Sequence, residues 1–144
     1  EFLELGSGVG LVSIVAASFG HRITMSEYNH DALQFARANT HINDCPGLPV
    51  VELDWNRPQL PGRFDYIVAS EVIYKKEDCR PLMNLLKAGL KPDGEVILAG
   101  EMRKSSMDFY KELENRFNIR VQKKILRSDK EEVNVYLFRM TLKG

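Results

Sequence analysis

The sequence predicts an α/β domain of the doubly wound kind, with a mostly parallel sheet between helices. Three observations predict it. Apolar runs of strand length alternate with segments of helical period, a glycine-rich turn follows directly on the first run, and near the end two strand-like runs follow one another with no helix between them. At 144 residues and 44% hydrophobic content, the chain is expected to form one domain over 1–144 that buries a core without disulfides or metal.

The elements come in order. "EFLEL" is a strand, and "GSGVG" places Gly6, Gly8 and Gly10 in a turn where a side chain is hard to accommodate. "LVSIVAASFG" reads as a helix closed by Gly20. A strand, "HRITMSE", leads to a helix, "NHDALQFARANTHIN", spaced through Leu33, Phe35, Ala36 and Ala38. "LPVVELDW" is a third strand, and Pro58, Pro61 and Gly62 make "NRPQLPGR" a loop. The apolar run "FDYIVASEVIY" is expected to be the central strand, buried on both faces.

A helix, "KEDCRPLMNLLKAGL", carries Leu82, Leu85 and Leu86 on one face, and "KPDG" is a turn feeding the strand "EVILAGE". "SSMDFYKELENRF" is a helix with a Ser start and apolar positions at Phe109, Leu113 and Phe117. "NIRVQKKIL" and "NVYLFRMTL" then form an antiparallel pair across the polar "RSDKEE". Because the first residues already read as strand, elements before Glu1 are expected to be missing.

Composition narrows the function. Twenty basic residues balance twenty acidic ones, which excludes a strong overall field toward nucleic acid or anionic membrane. No apolar run approaches the roughly 18 residues of a membrane span. Cys45 and Cys79 fall in no ligand cluster, and His21, His30 and His41 read as surface residues, so no metal is expected. Reduced thiols and the lack of a leader give a cytoplasmic expectation, with the nucleus left open.

In doubly wound sheets ligands bind outside the carboxyl ends of the strands, where the first turn lies. Gly6-Ser7-Gly8-Val9-Gly10 is one residue tighter than the dinucleotide fingerprint, and Glu4 stands two positions ahead. That suits a nucleoside with an amino-acid tail better than a pyrophosphate, and it disfavours a nicotinamide cofactor.

"ELGSGVG" resembles motif I of the class I S-adenosylmethionine methyltransferases, whose fold is a seven-stranded Rossmann-like sheet. That resemblance implies S-adenosylmethionine as cofactor and S-adenosylhomocysteine as product. Glu27, about 20 residues on at the end of the second strand, matches the family's acid for the ribose hydroxyls, although an acid there also suits a helix N-terminus. Asp54 and Trp55 match the adenine site, while a tryptophan at that place also suits the edge of the core. Glu4, Gly6, Ser7, Gly8, Gly10, Tyr28 and Ser70 complete the implied cofactor set.

At the end of the fourth strand, Ser70-Glu71-Val72-Ile73-Tyr74 resembles the D/E-x-x-Y signature of seven-stranded protein lysine methyltransferases related to the valosin-containing-protein and elongation-factor enzymes. The resemblance covers nearly the whole chain. It implies a protein substrate and catalytic roles for Glu71, which would hold the lysine ammonium, and Tyr74, which would aim its lone pair. A strand-end acid and a core tyrosine would look the same.

No Pro lies between Gly62 and Arg80, unlike nucleobase and glutamine-amide methylases. A small-molecule acceptor and a non-catalytic cofactor-binding partner domain stay open as alternatives. "YKKEDCRP" and "EMRKSSMD" are expected to flank the mouth, with Lys75, Lys76, Arg103 and Lys104 as solvated charge or as contacts to an acidic surface.

Overall fold

A computed structural model describes residues 1–73, 75–102 and 107–144. The seven-stranded sheet runs in the order β3-β2-β1-β4-β5-β7-β6. Strands β1 (Phe2–Leu5), β2 (Ile23–Glu27), β3 (Val50–Glu52), β4 (Phe64–Ser70) and β5 (Leu90–Gly100) pair in parallel. The last two, β6 (Phe117–Arg127) and β7 (Glu132–Leu142), pair with each other in antiparallel sense, and β7 closes antiparallel onto β5. The helices are α1 (Leu11–Ser18), α2 (His30–Ile42), α3 (Lys76–Gly89) and α4 (Met107–Glu114).

The strand order reverses direction beside β1, since β2 lies on one side of it and β4 on the other. Right-handed crossovers then put helices on both faces. The alternation of β1 shows the division: Leu3 and Leu5 enter the large core with Leu82, Leu85 and Leu86 of α3, while Glu4 between them points to the other face and meets Ser13 of α1. On the α3 side the core continues through Ile67, Val96, Leu98, Phe109, Leu113, Phe138 and Met140. Leu33, Ala36, Ile23 and Met25 form the smaller buried group beneath α1 and α2. On α1 the outward side is itself apolar, with Leu11, Val15 and Phe19 exposed.

Three local expectations differ from the structure. The central strand is not buried on both faces, since Tyr66 and Ser70 are exposed on one of them, and it stops at Ser70 without running on through 71–73, because Glu71 takes φ +49°, a left-handed conformation incompatible with a β ladder. Phe117 begins β6 and does not end α4: its side chain is needed in the core from the sheet, and a turn at 115–116 separates the two elements. "KPDG" is not a free turn, since β5 starts at Leu90. The ladder nevertheless steps from Phe64↔Leu90 to Tyr66↔Glu95, so the four residues bulge out opposite Asp65. The expected Ser start of α4 lies outside the described residues.

Candidate active site

The glycine turn is built by positive φ angles, +60° at Gly6, +54° at Gly8 and +87° at Gly10. The three glycines answer different needs. A Cβ on Gly10 would lie 2.7 Å from the Met25 thioether and 3.8 Å from the Ala36 Cβ, so its lack of a side chain lets α1 start directly against β2 and α2. A Cβ on Gly6 would press on Val72 Cγ1 at 3.0 Å. Gly8 faces open space.

As the residue before α1, Gly10 has no side chain with which to cap the helix, and Glu4 does that work from β1. Its Oε2 accepts a hydrogen bond from the Ser13 amide at 3.1 Å and another from the Ser13 hydroxyl. Burial holds the Glu4 carboxyl above its ordinary range; the two bonds from Ser13 pull it back down, and the charge of Glu27 adds to the rise. Ser7 is buried too, with its hydroxyl unpartnered among the described residues. Glu4, Ser7 and Gly10 therefore stand behind the turn, outside the lining of the cleft in front of it.

That cleft, about 530 Å³, opens at the carboxyl ends of β1 to β4. It is lined by Gly6, Gly8, Glu27, Tyr28, Asp54, Trp55, Ser70 and Glu71 from the sequence-predicted set. Glu27 Oε2 accepts from the Gly8 amide at 2.9 Å, and Oε1 accepts from the amides of Tyr28 and Asn29 at 2.8 and 3.0 Å. The N-cap of α2 is Asn29, whose side chain accepts from the Ala32 amide, so Glu27 is held just ahead of that helix. Asp54 Oδ1 accepts from the Asn56 amide at 2.8 Å, a tight turn that presents Trp55 half-buried beside Gly6.

Glu71 enters the cleft from the end of β4. Its amide donates to the Ala99 carbonyl at 2.9 Å, and its Oε1 accepts from the Glu101 amide at 2.6 Å, so the carboxylate is pinned to the end of β5. A non-glycine residue at φ +49° costs of the order of 1–3 kcal/mol and persists only where its surroundings enforce it. Tyr74, Arg103 and Lys104 lie outside the described residues.

Leu53, Asn56, Val72, Lys75 and Asp78 also line the cleft and were not in the predicted cofactor set. Asn56 had a signal, the turn-forming Asp two residues before it. Lys75 was named only as a mouth cation, and Lys76 pairs with Asp108 at 3.6 Å across the start of α3 and α4. His21, His30 and His41 are exposed, and the described residues hold no group of three metal-ligating side chains. Both cysteines are free. A second cavity, about 630 Å³ and including Phe2, His21 and Arg63, lies at the amino ends of the strands. It is larger, but it is away from the ends where such sheets bind ligands and from every predicted site residue.

A lysine methyltransferase family model matches residues 1–122. The chain belongs to the lysine methyltransferase family. It is 34% identical over 127 residues to protein N-lysine methyltransferase METTL21A of Danio rerio, covering 81% of this chain and 57% of that protein. It is 29% identical to EEF1A lysine methyltransferase 3 of Mus musculus over 146 residues, 96% of this chain and 60% of the other. The chain thus spans about three-fifths of these relatives. Among solved structures, a precorrin-6y C5,15-methyltransferase from Geobacter metallireducens superposes with a TM-score of 0.81 at 19% identity, covering 99% of this chain and 79% of that one, which shows the same fold.

Proposed function

We propose that this lysine methyltransferase family member moves a methyl group from S-adenosylmethionine to the ε-amine of a lysine in a protein substrate. The observation that carries the reading is the convergence of bare backbone at Gly6 and Gly8, acids at Glu27 and Asp54, the Trp55 indole and Glu71 on one cleft. A nucleoside with a zwitterionic tail fits that set. Gly6 and Gly8 would admit the tail against the main chain, Glu27 would accept from the sugar hydroxyls, and Asp54 with Trp55 would hold the base. The Glu27 carboxylate keeps one acceptor site for this, on Oε2, because two oxygens offer about four and three are taken by amides.

When bound, the cofactor supplies a methyl already activated on a sulfonium. What this chain must add is position and a deprotonated nucleophile. A lysine ammonium has an ordinary pKa of about 10.4, so the amine has to lose a proton before it attacks. Glu71, fixed by the Glu101 amide, is placed to draw the ammonium in and orient it, while partial burial favours the neutral amine. Tyr74 keeps its sequence-derived role, aiming the lone pair.

The substrate class is supported by the relatives, which are named as lysine methyltransferases acting on protein. Two free thiols suit a cytoplasmic location. Transfer of labelled methyl from S-adenosylmethionine into host-lysate proteins by the full-length protein, with mass spectrometry of the modified residues, tests the reading. Label on lysine that disappears with Glu71→Ala is expected. Label confined to arginine, nucleic acid or metabolites would overturn it.

A further inference from the structure

Beyond the cofactor cleft, Glu71 faces a second set of side chains. A Cβ on Gly100 would lie 3.0 Å from Glu71 Oε1, so the carboxylate rests on the side of β5 from which Gly100 projects no side chain. Gly100 pairs with Tyr136 across the β5–β7 ladder, and directly opposed residues share a face with their Cβ positions about 5 Å apart. Tyr136 therefore stands on the same side as the Glu71 carboxylate. Two residues further along that face, Phe138 is buried, its ring 6.5 Å from that of Tyr136. Tyr110 of α4 stacks on Phe138, with centroids 4.2 Å apart and planes 11° from parallel.

We propose that Tyr110 and Tyr136, backed by Phe138, form the aromatic wall of the acceptor site, and that this wall with Glu71 at its rim binds an alkylammonium, the side chain of the lysine to be methylated. The assignment rests on the lysine-methylating reading above and adds the groups that hold the acceptor. Ring faces cover the methylene stem, and their negative quadrupoles attract the cation within about 6 Å. Glu71 belongs to both places, which puts the ammonium at the boundary between wall and cofactor cleft. Burial first, and then the charge of Glu71, push the Tyr110 hydroxyl up to about 12, so it stays neutral beside the carboxylate. Tyr110 and Tyr136 are binding and positioning residues.

The test uses the full-length protein saturated with S-adenosylhomocysteine and aromatic carbon-13 NMR. With n-butylammonium as probe, the ring resonances of Tyr110 and Tyr136 move saturably, and the movement falls several-fold in Glu71→Gln. The neutral probe n-pentanol leaves them in place. No response to butylammonium, or an equal response to pentanol, overturns the wall. In the labelling experiment, Tyr136→Leu lowers lysine labelling at limiting protein acceptor by about tenfold, the equivalent of about 1.4 kcal/mol. Its S-adenosylhomocysteine affinity is unchanged and Tyr136→Phe restores labelling, an outcome that loss of folding would not give. Should the wild type label no lysine while butylammonium still binds, the lysine reading falls and the ammonium site stands. Lysine labelling that ignores Tyr136→Leu removes the wall and leaves the reading.

Discussion

Glu27 and Gly8 are joined across the top of the sheet: the carboxylate at the end of β2 accepts from the amide in the middle of the glycine turn at 2.9 Å. The same side chain therefore fixes the turn and faces the cleft. Replacing it with alanine removes a charged acceptor from the proposed sugar site and releases three backbone amides. Charge-assisted hydrogen bonds contribute about 1.5–3 kcal/mol, so Glu27→Ala is expected to weaken S-adenosylhomocysteine binding by roughly 10- to 100-fold in calorimetry. Wild-type affinity in that variant would remove Glu27 from the cofactor site.

The glycines separate by a pair of substitutions. Gly10→Ala has to take φ +87° and also drive a methyl into Met25 at 2.7 Å, which combines backbone strain with overpacking at about 2–4 kcal/mol. Gly8→Ala meets nothing within 4 Å and carries only the strain of φ +54°, about 1–2 kcal/mol. Urea unfolding should rank Gly10→Ala well below Gly8→Ala in stability. Cofactor binding should rank them by position instead, with Gly8→Ala impaired while still folded. Equal stabilities would contradict the packing account of Gly10.

The strand and helix periods made the architecture legible, because strands and helices alternate and the closing hairpin gives two strands in succession, although the apolar run of β4 is buried on one face only. Boundaries were less so. Nothing local in "SEVIY" announces that Glu71 turns into the left-handed region, since a β-branched, apolar run continues after it. Phe117 satisfies helical spacing from Phe109 and Leu113, yet the sheet claims it. Glu27, Asp54, Trp55 and Glu71 were legible as residues at or just after strand ends, and all four line the cleft. Glu4 and Gly10 have the same local pattern as ligand groups, and only three-dimensional packing reveals a cap for α1 and a contact with Met25. Tyr110 and Tyr136 had no signal, because their relation to Glu71 is made by α4 and by the β5–β7 register.

Glu4 should leave a mark on stability against pH. Burial raises its folded pKa above the ordinary 4.5, so across the interval between those values the native state holds a proton that the unfolded chain has released. Its contribution is present in full below the unfolded value and is lost as pH rises through the folded one. Glu4→Gln keeps an oxygen for Ser13 but cannot ionise. The difference in urea midpoint, wild type minus variant, should fall as pH is raised from 4 toward neutrality. A difference that is flat or grows with pH would show that the carboxylate is not penalised by its surroundings.

Tyr110 gives an independent optical check on the environment of Glu71. Its hydroxyl is pushed from 10 up to about 12, by burial foremost and by the Glu71 charge second. Absorbance titration near 295 nm should therefore show a step near pH 12 that Tyr110→Phe abolishes. Glu71→Gln should move that step down only in part, because burial remains. Because the folded pKa of Tyr110 is raised, its contribution to stability is whole below pH 10 and is lost as pH climbs toward 12, which makes wild type more sensitive to alkali than Tyr110→Phe. A titration in which Tyr110→Phe removes no step near pH 12 would mean that the ring is open to water and that Glu71 lies too far away to act on it.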